Sequence, residues 1–391
     1  MASGHLVTSF FLIFAGAAVL ATAALYTRQP LIVAYVAVGA ILGPSGLGWV
    51  GDPAFLAEIA EIGIIFLLFL LGLDMQPSKL VRTLRETLLV GLASSASFAL
   101  LGYGAGRLFG FDHLDAALIG AALMFSSTII GIKLLPTTVL HHRHTGEVVV
   151  GLLLLQDLIA ILLLLLIAGQ STADVLDSPP PAWLPFLALP VLVAGCFAFV
   201  RWVLLPLLRR FDVFHEFVFL LAVGWCLAVA EAAARAGLSL EIGAFVAGVA
   251  LATSPISQYI AESLRPLRDF FLVLFFFTVG AGFELGLLGT VALPTLFLTA
   301  LVLGAKPAIF RLLLHRFEEQ NVLAWEVGFR LGQISEFSLL VAYLAEEAGL
   351  LGARASTLIQ ATAIATFLLS SYLVVLRYPT PIAVSARLRR N

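Results

Sequence analysis

Charged side chains are scarce in this chain: Asp, Glu, Lys and Arg supply 12% of its 391 residues, against 61% hydrophobic ones. A soluble globular domain carries roughly a quarter charged residues, so this class is excluded. There is no charged tail or long basic segment, and the net charge is -2, so nothing points to nucleic acid or to a peripheral membrane surface. Cysteine is nearly absent: Cys196 and Cys226 both fall in apolar stretches and read as small buried hydrophobes. No basic region precedes the apolar segment Leu6 to Leu25, which therefore reads as a helix that stays and not as a cleaved signal. The apolar runs are continuous, whereas barrel strands alternate apolar and polar residues over roughly ten positions. An HExxH pair or a nucleophile with its base is also missing, so an intramembrane enzyme has no support and no cofactor is expected.

What the chain does have is a succession of apolar runs of about 20 residues, the length that crosses a bilayer as a helix. The expectation is an all-α polytopic membrane protein with about thirteen spans, near residues 6–26, 30–48, 55–75, 88–108, 114–140, 147–169, 183–207, 214–236, 238–253, 269–283, 288–315, 322–347 and 355–377. This layout puts 15 Lys and Arg residues on one side and only Arg107, Arg235 and Arg354 on the other, with Lys133, Arg201, Lys306 and Arg330 inside spans. Basic loops mark the cytoplasmic side, so the C-terminus is expected there.

Within the run Gly151 to Ile167, the only strongly polar side chains are Asp157 and its neighbour Gln156. An ionisable group in mid-membrane costs several kcal/mol on insertion scales, and its default reading is an ion, proton or substrate site. A desolvated carboxylate favours its protonated form and a nearby cation favours the charged one, so one such group can exchange H⁺ for a metal ion. That argument predicts competitive binding and electroneutral one-for-one exchange. Gln156 adds an amide oxygen that helps strip water from a cation, or alternatively a helix-packing hydrogen bond. Asp157 has its own alternative, a structural ion pair with Lys306 or Arg330.

The segment from Gln170 to Trp183, with three consecutive prolines, divides the chain into halves, and each half has one interrupted apolar stretch. The first, Leu123 to Thr138, is broken by Ser126, Ser127, Thr128, Gly131, Lys133 and Pro136. The second, Phe329 to Leu340, is broken by Arg330, Gly332, Gln333, Ser335 and Glu336. Interruptions at corresponding places in two halves point to an inverted repeat and a midplane transport site, although ordinary helices with Ser and Thr bonded to the preceding turn would give the same pattern. Ser335 and Glu336 suit a helix N-terminus, one as cap and one through the dipole. Lys306 precedes Pro307, a kink-forming pair, and reads either as a charge that holds the core or as a lysine reaching for an interface. His141, His142 and His144 around Arg143 read as a polar turn.

Seven segments in order, RQPLIVAYVAVGAILGPSGLG (Arg28 to Gly48), EIGIIFLLFLLGLDM (Glu61 to Met75), SSTIIGIKLL (Ser126 to Leu135), LLLQDLIAI (Leu153 to Ile161), GLSLEIGAFVAGVAL (Gly237 to Leu251), LFFFTVGAGF (Leu274 to Phe283) and LGQISEFSLL (Leu331 to Leu340), resemble the membrane domain of monovalent cation:proton antiporters, most of all the Kef-type potassium:proton branch. The resemblance runs almost end to end. It implies a sodium/proton antiporter-like fold, in which residues 1–378 form the exchanger domain, with dimerisation helices and a six-helix core at about 88–169 and 288–377, followed by a short cytoplasmic tail, 379–391. It implies a homodimer in a bacterial inner membrane, transporting a monovalent cation (K⁺ before Na⁺, because of Gln156) and H⁺. Asp157 matches the family's ion-binding aspartate, Lys306 its intramembrane lysine, and Ser126, Ser127, Thr128, Ser335 and Glu336 fall at the crossing broken helices. In relatives with two aspartates the lysine can pair with the first; with Gln156 there, its candidate partners are Asp157, Glu336 or a backbone carbonyl. Kef-type proteins usually carry a nucleotide-binding regulatory domain after the last span, and no GxGxxG fingerprint follows here, so such control is not expected of this chain alone. A cation channel is the rival reading, but no filter-like loop such as TVGYG appears.

Overall fold

The computed structural model describes residues 2–50, 53–75, 77–128, 131, 144–175, 184–211, 215–254, 257–316 and 320–378; Lys133, Pro136, His141, His142 and Arg143 lie outside them. Every regular element among the described residues is helical. In chain order these are α1 (Ala2–Tyr26), α2 (Leu31–Leu42), α3 (Pro53–Asp74), α4 (Pro77–Leu108), α5 (His113–Leu123) and α6 (His144–Val175). Next, α7 (Leu184–Phe199) runs through a π-turn (Val200–Leu204) into α8 (Leu205–Phe211). Then come α9 (His215–Arg235), α10 (Leu240–Ala252), α11 (Ser257–Ser263), α12 (Arg265–Ala281), α13 (Leu288–Arg316), α14 (Asn321–Arg330), α15 (Glu336–Glu347) and α16 (Ala353–Arg377). Seven helical stretches among the described residues are long and apolar enough to cross a membrane.

The chain forms two compact units. One comprises residues 1–51, 82–163 and 279–391, and the other residues 52–81 and 164–278. In the first, α4 and α5 approach through small residues: a Cβ added to Gly102 would stand 2.7 Å from the Cα of Gly120. Close backbone approach of this kind replaces the hydrophobic drive that lipid does not supply. A buried apolar cluster of Val90, Phe98, Val149, Leu152, Phe310, Leu314 and Val327 then joins α4, α6, α13 and α14. The Phe98 and Phe310 rings meet edge to face, centroids 5.2 Å apart. Pro307 lies inside α13 and supplies no backbone donor there, and Gly328 lets α14 press against that point: a Cβ there would lie 2.7 Å from Pro307 O. This contact fixes the depth of Lys306.

In the second unit α3 and α10 cross where Gly72 faces Gly248, with each glycine against the other helix's backbone. Around the crossing pack Phe69, Leu73, Cys226, Val229, Ala247 and Leu251, all buried. Trp225 Nε1 donates to Ala247 O at 3.1 Å, and its ring stacks on Phe199 at 5.2 Å. Cys196 and Cys226 are free and buried in this core, as apolar fillers. The Gly248→Val variant is expected to lose about 2 kcal/mol through overpacking of this crossing. A melting curve of the detergent-solubilised protein checks it, and an unchanged midpoint would contradict the close contact.

Candidate functional site

Two helices of the first unit are broken at the same place. After α5 ends at Leu123 the chain is non-helical through Ser127, and the bond from Gly131 N–H to Ser127 O, 3.0 Å, begins a new helical turn. After α14 ends at Arg330 the chain is irregular until Ser335 caps α15. Ser335 Oγ accepts from Phe337 N–H at 3.1 Å, and Ser338 Oγ accepts from Ser335 N–H at 3.3 Å, a reciprocal cap. In lipid such irregular backbone is tolerated only where protein satisfies its polar groups, and here each break satisfies the other. Ser126 Oγ donates to Leu331 O at 2.9 Å, Ser338 Oγ to Ala122 O at 2.6 Å, and Gln333 Nε2 to Ser127 O at 3.4 Å and Arg330 O at 3.0 Å. From α16, Ser370 donates to Gln333 Oε1 at 2.9 Å.

Lys306 closes the junction. Its Nζ, on a residue 2% exposed, donates to Phe125 O at 2.7 Å, Gln333 O at 3.0 Å and Ser126 Oγ at 3.4 Å, and lies 4.9 Å from the centroid of the Phe98 ring. All three ammonium donors thus find acceptors, two of them carbonyls just beyond the C-terminal ends of α5 and α14. Those ends carry the negative pole of the helix dipole, which suits a cation. Of the three partners open to Lys306 in sequence terms, the structure selects backbone carbonyls. Arg330 is fully buried and bonds Glu326 Oε1 through Nε at 3.0 Å and Nη2 at 2.7 Å, with the Tyr378 ring beside it. Neither cation is ion-paired to Asp157.

Asp157 projects from the middle of α6 onto the opposite side of the break, the start of the new helical turn. Thr128 Oγ1 lies 3.2 and 3.4 Å from its two carboxylate oxygens, and these are its only hydrogen-bond contacts among the described residues. The half-buried Glu336, at the first position of α15, acts on it electrostatically. Gln156, wholly buried, turns Oε1 to Ser126 N–H at 2.9 Å and so supports the break, while its Nε2 has no partner among the described residues. The residues brought together are therefore Ser126, Ser127, Thr128, Gln156, Asp157, Lys306, Ser335 and Glu336. Sequence reasoning left unassigned Gln333, Ser338, Ser370 and Phe98, and the carbonyls of Phe125, Leu331 and Gln333. The buried polar stripe Thr362, Thr366 and Ser370 at four-residue spacing on α16 was the available signal for Ser370.

Two broken helices bonded back to back beside a mid-helix carboxylate is a transporter architecture. The profile of the family described as sodium/hydrogen exchanger, transmembrane, matches residues 10–375. The chain belongs to this family. Among curated relatives, the chain is 30% identical over 321 residues to K(+) efflux antiporter 6 of Arabidopsis thaliana, covering 80% of this chain and 53% of that one. It is 34% identical over 338 residues to the glutathione-regulated potassium-efflux system protein KefC of Enterobacter sp. (strain 638), covering 82% of this chain and 52% of that one. The chain spans about half the length of these relatives. Its fold is that of the sodium proton antiporter MjNhaP1 from Methanocaldococcus jannaschii, with TM-score 0.66, 17% identity, and 95% of this chain and 98% of that one covered. It is thus a multi-pass membrane protein of the cation:proton antiporter family.

Replacing Lys306 by Gln removes the donors that hold both breaks and is expected to cost about 2–4 kcal/mol. Ser335→Ala, which removes only one cap, is expected to cost about 1 kcal/mol. Thermal unfolding of the two variants side by side checks the ranking, and equal losses would contradict the central place of Lys306.

Proposed function

We propose that this exchanger carries K⁺ against H⁺ by alternating access, with Asp157 binding the two ions in turn. The observation behind this reading is that Asp157 is 6% exposed and has no ion-pair partner among the described residues, because Lys306 and Arg330 are committed elsewhere. An uncompensated buried carboxylate is costly, so it calls for a proton or a cation as it crosses the membrane. Thr128 supplies one oxygen beside the carboxylate for a partly dehydrated cation. Gln156 shapes the site through Ser126 N–H, and being an amide it adds no second titrating group. With Asp157 as the one group that binds proton and cation in turn, one proton exchanges for one cation and turnover moves no net charge. K⁺ is favoured over Na⁺ by the likeness to the two potassium-efflux relatives. A six-helix core moving against dimerisation helices of a homodimer, with the C-terminus cytoplasmic in a bacterial inner membrane, is part of the same reading.

In liposomes with an internal pH dye and an imposed proton gradient, K⁺ is expected to alkalinise the lumen more strongly than Na⁺, and choline not at all. Asp157→Asn is expected to abolish the response, and a voltage-sensitive dye is expected to stay flat during turnover. A potential generated by turnover would overturn electroneutrality, and wild-type activity in Asp157→Asn would overturn the assignment of the site.

Thr128→Val is expected to raise the apparent KM for K⁺ by roughly tenfold, equivalent to one lost hydrogen-bonding oxygen. Because proton and cation compete, the KM of the wild type is expected to climb as pH falls, by up to about tenfold per unit. Dye-monitored exchange across a pH series measures both, and a pH-independent KM would contradict competition at one carboxylate.

A further inference from the structure

Arg201 stands inside the apolar span Leu187–Phe211, ten residues before its end, and is exposed, as is its neighbour Trp202 at 73%. At 1.5 Å per residue that is about 15 Å from the helix terminus. An intramembrane arginine ordinarily faces a bundle interior or finds a partner. Arg201 has neither an ion pair nor a hydrogen bond among the described residues, and the same holds for Arg209.

The backbone between them is irregular. Leu205 N–H reaches back five residues to Val200 O, the bond of a π-turn, and Pro206 follows with no N–H of its own. Eight residues apart on an uninterrupted α-helix, Arg201 and Arg209 would be rotated by about 80°; the extra residue taken up by the π-turn brings them to within about 20° of one face. Both then line a single groove of about 750 Å³ in the second unit, whose apolar wall is Phe197, Val200, Leu205 and Pro206. The groove combines two guanidinium groups that have no partner among the described residues with an apolar floor, complementary to one phosphate and the chain attached to it.

We propose that this groove binds an anionic phospholipid, its phosphate held between Arg201 and Arg209 and its upper acyl carbons against Phe197 and Leu205. The site is independent of the ion-binding carboxylate, so it stands or falls apart from the transport reading. Bound phosphate would supply the counter-charge that lets Arg201 remain at that depth. The π-turn would then be the device that aligns the two arginines, rather than a packing defect.

The test uses the whole purified chain in detergent, with native mass spectrometry to count bound lipid and a thermal melt to read stabilisation. Phosphatidylglycerol is expected to bind and raise the melting midpoint, whereas phosphatidylcholine and inorganic phosphate are expected to do neither. The double variant Arg201→Gln with Arg209→Gln is expected to bind phosphatidylglycerol about thirty-fold more weakly. Should the double variant fail to fold, Arg209→Gln alone, at the helix end, is expected to weaken binding several-fold. Equal binding of phosphatidylcholine, stabilisation by inorganic phosphate alone, or undiminished phosphatidylglycerol binding in the variants would each overturn the proposal. So would loss of a dimer with lipid binding intact, which would assign the arginines to a subunit contact.

Discussion

The arrangement at the heart of this membrane protein depends on one ammonium group. Lys306 Nζ spans the two breaks, holding Phe125 O on one side and Gln333 O on the other. Each carbonyl lies just past a helix C-terminus, where backbone acceptors are left without intrahelical donors. In water they would be solvated; in the interior of a membrane protein one well-placed cation satisfies both and answers two dipoles at once. The direct bonds between breaks, through Ser126, Gln333 and Ser338, hold the same junction in register. Pro307 and Gly328 keep the lysine at that depth by fixing how α13 and α14 touch.

This division of labour makes chemical sense of the polarity of the junction. The C-terminal ends of α5 and α14 receive the resident cation. The opposite side, where helical turns restart at Thr128 and Ser335, presents the positive pole, and Asp157 and Glu336 are found there. Fixed positive charge therefore sits against negative dipole ends, and carboxylates against positive ones.

Much of this was legible in the chain itself. Asp157 announced itself by being the lone acid in an unbroken apolar run, and the two interruptions by their clusters of Ser, Gly and charge, because lipid tolerates such residues only for a reason. The helix start at Ser335 was legible because capping is local chemistry, governed by two or three neighbouring residues. What one sequence does not carry is pairing over long separations. Lys306 meets the carbonyl of Phe125 across 181 positions, and carbonyls have no side-chain signature, so the choice among three partners could be made only in three dimensions. The same holds for Gln156, whose oxygen turns to Ser126 N–H, 30 residues away, and for Ser370 and Gln333. The π-turn at Val200–Leu204 is similarly invisible, since the surrounding residues read as ordinary apolar helix and only Pro206 hints at irregularity.

On the proposed reading, the glutamine at position 156 ties the resident charge to the charge that is moved. Were a second acid present there, it would offer Lys306 an ionic partner, and the lysine's bond would then compete with protons. A glutamine removes that possibility. The lysine turns wholly to backbone carbonyls and one hydroxyl, acceptors that do not titrate in the physiological range, and Gln156 itself binds backbone. The positive charge of the junction is thereby balanced by dipoles. On the proposed reading Asp157 is left as the group whose charge must be matched by what it carries, and a single negative charge matched by either H⁺ or a monovalent cation gives exchange without net charge movement. On that reading stoichiometry follows from how the junction is held together, and an acid introduced at position 156 would alter the lysine's partner and the charge carried in the same step.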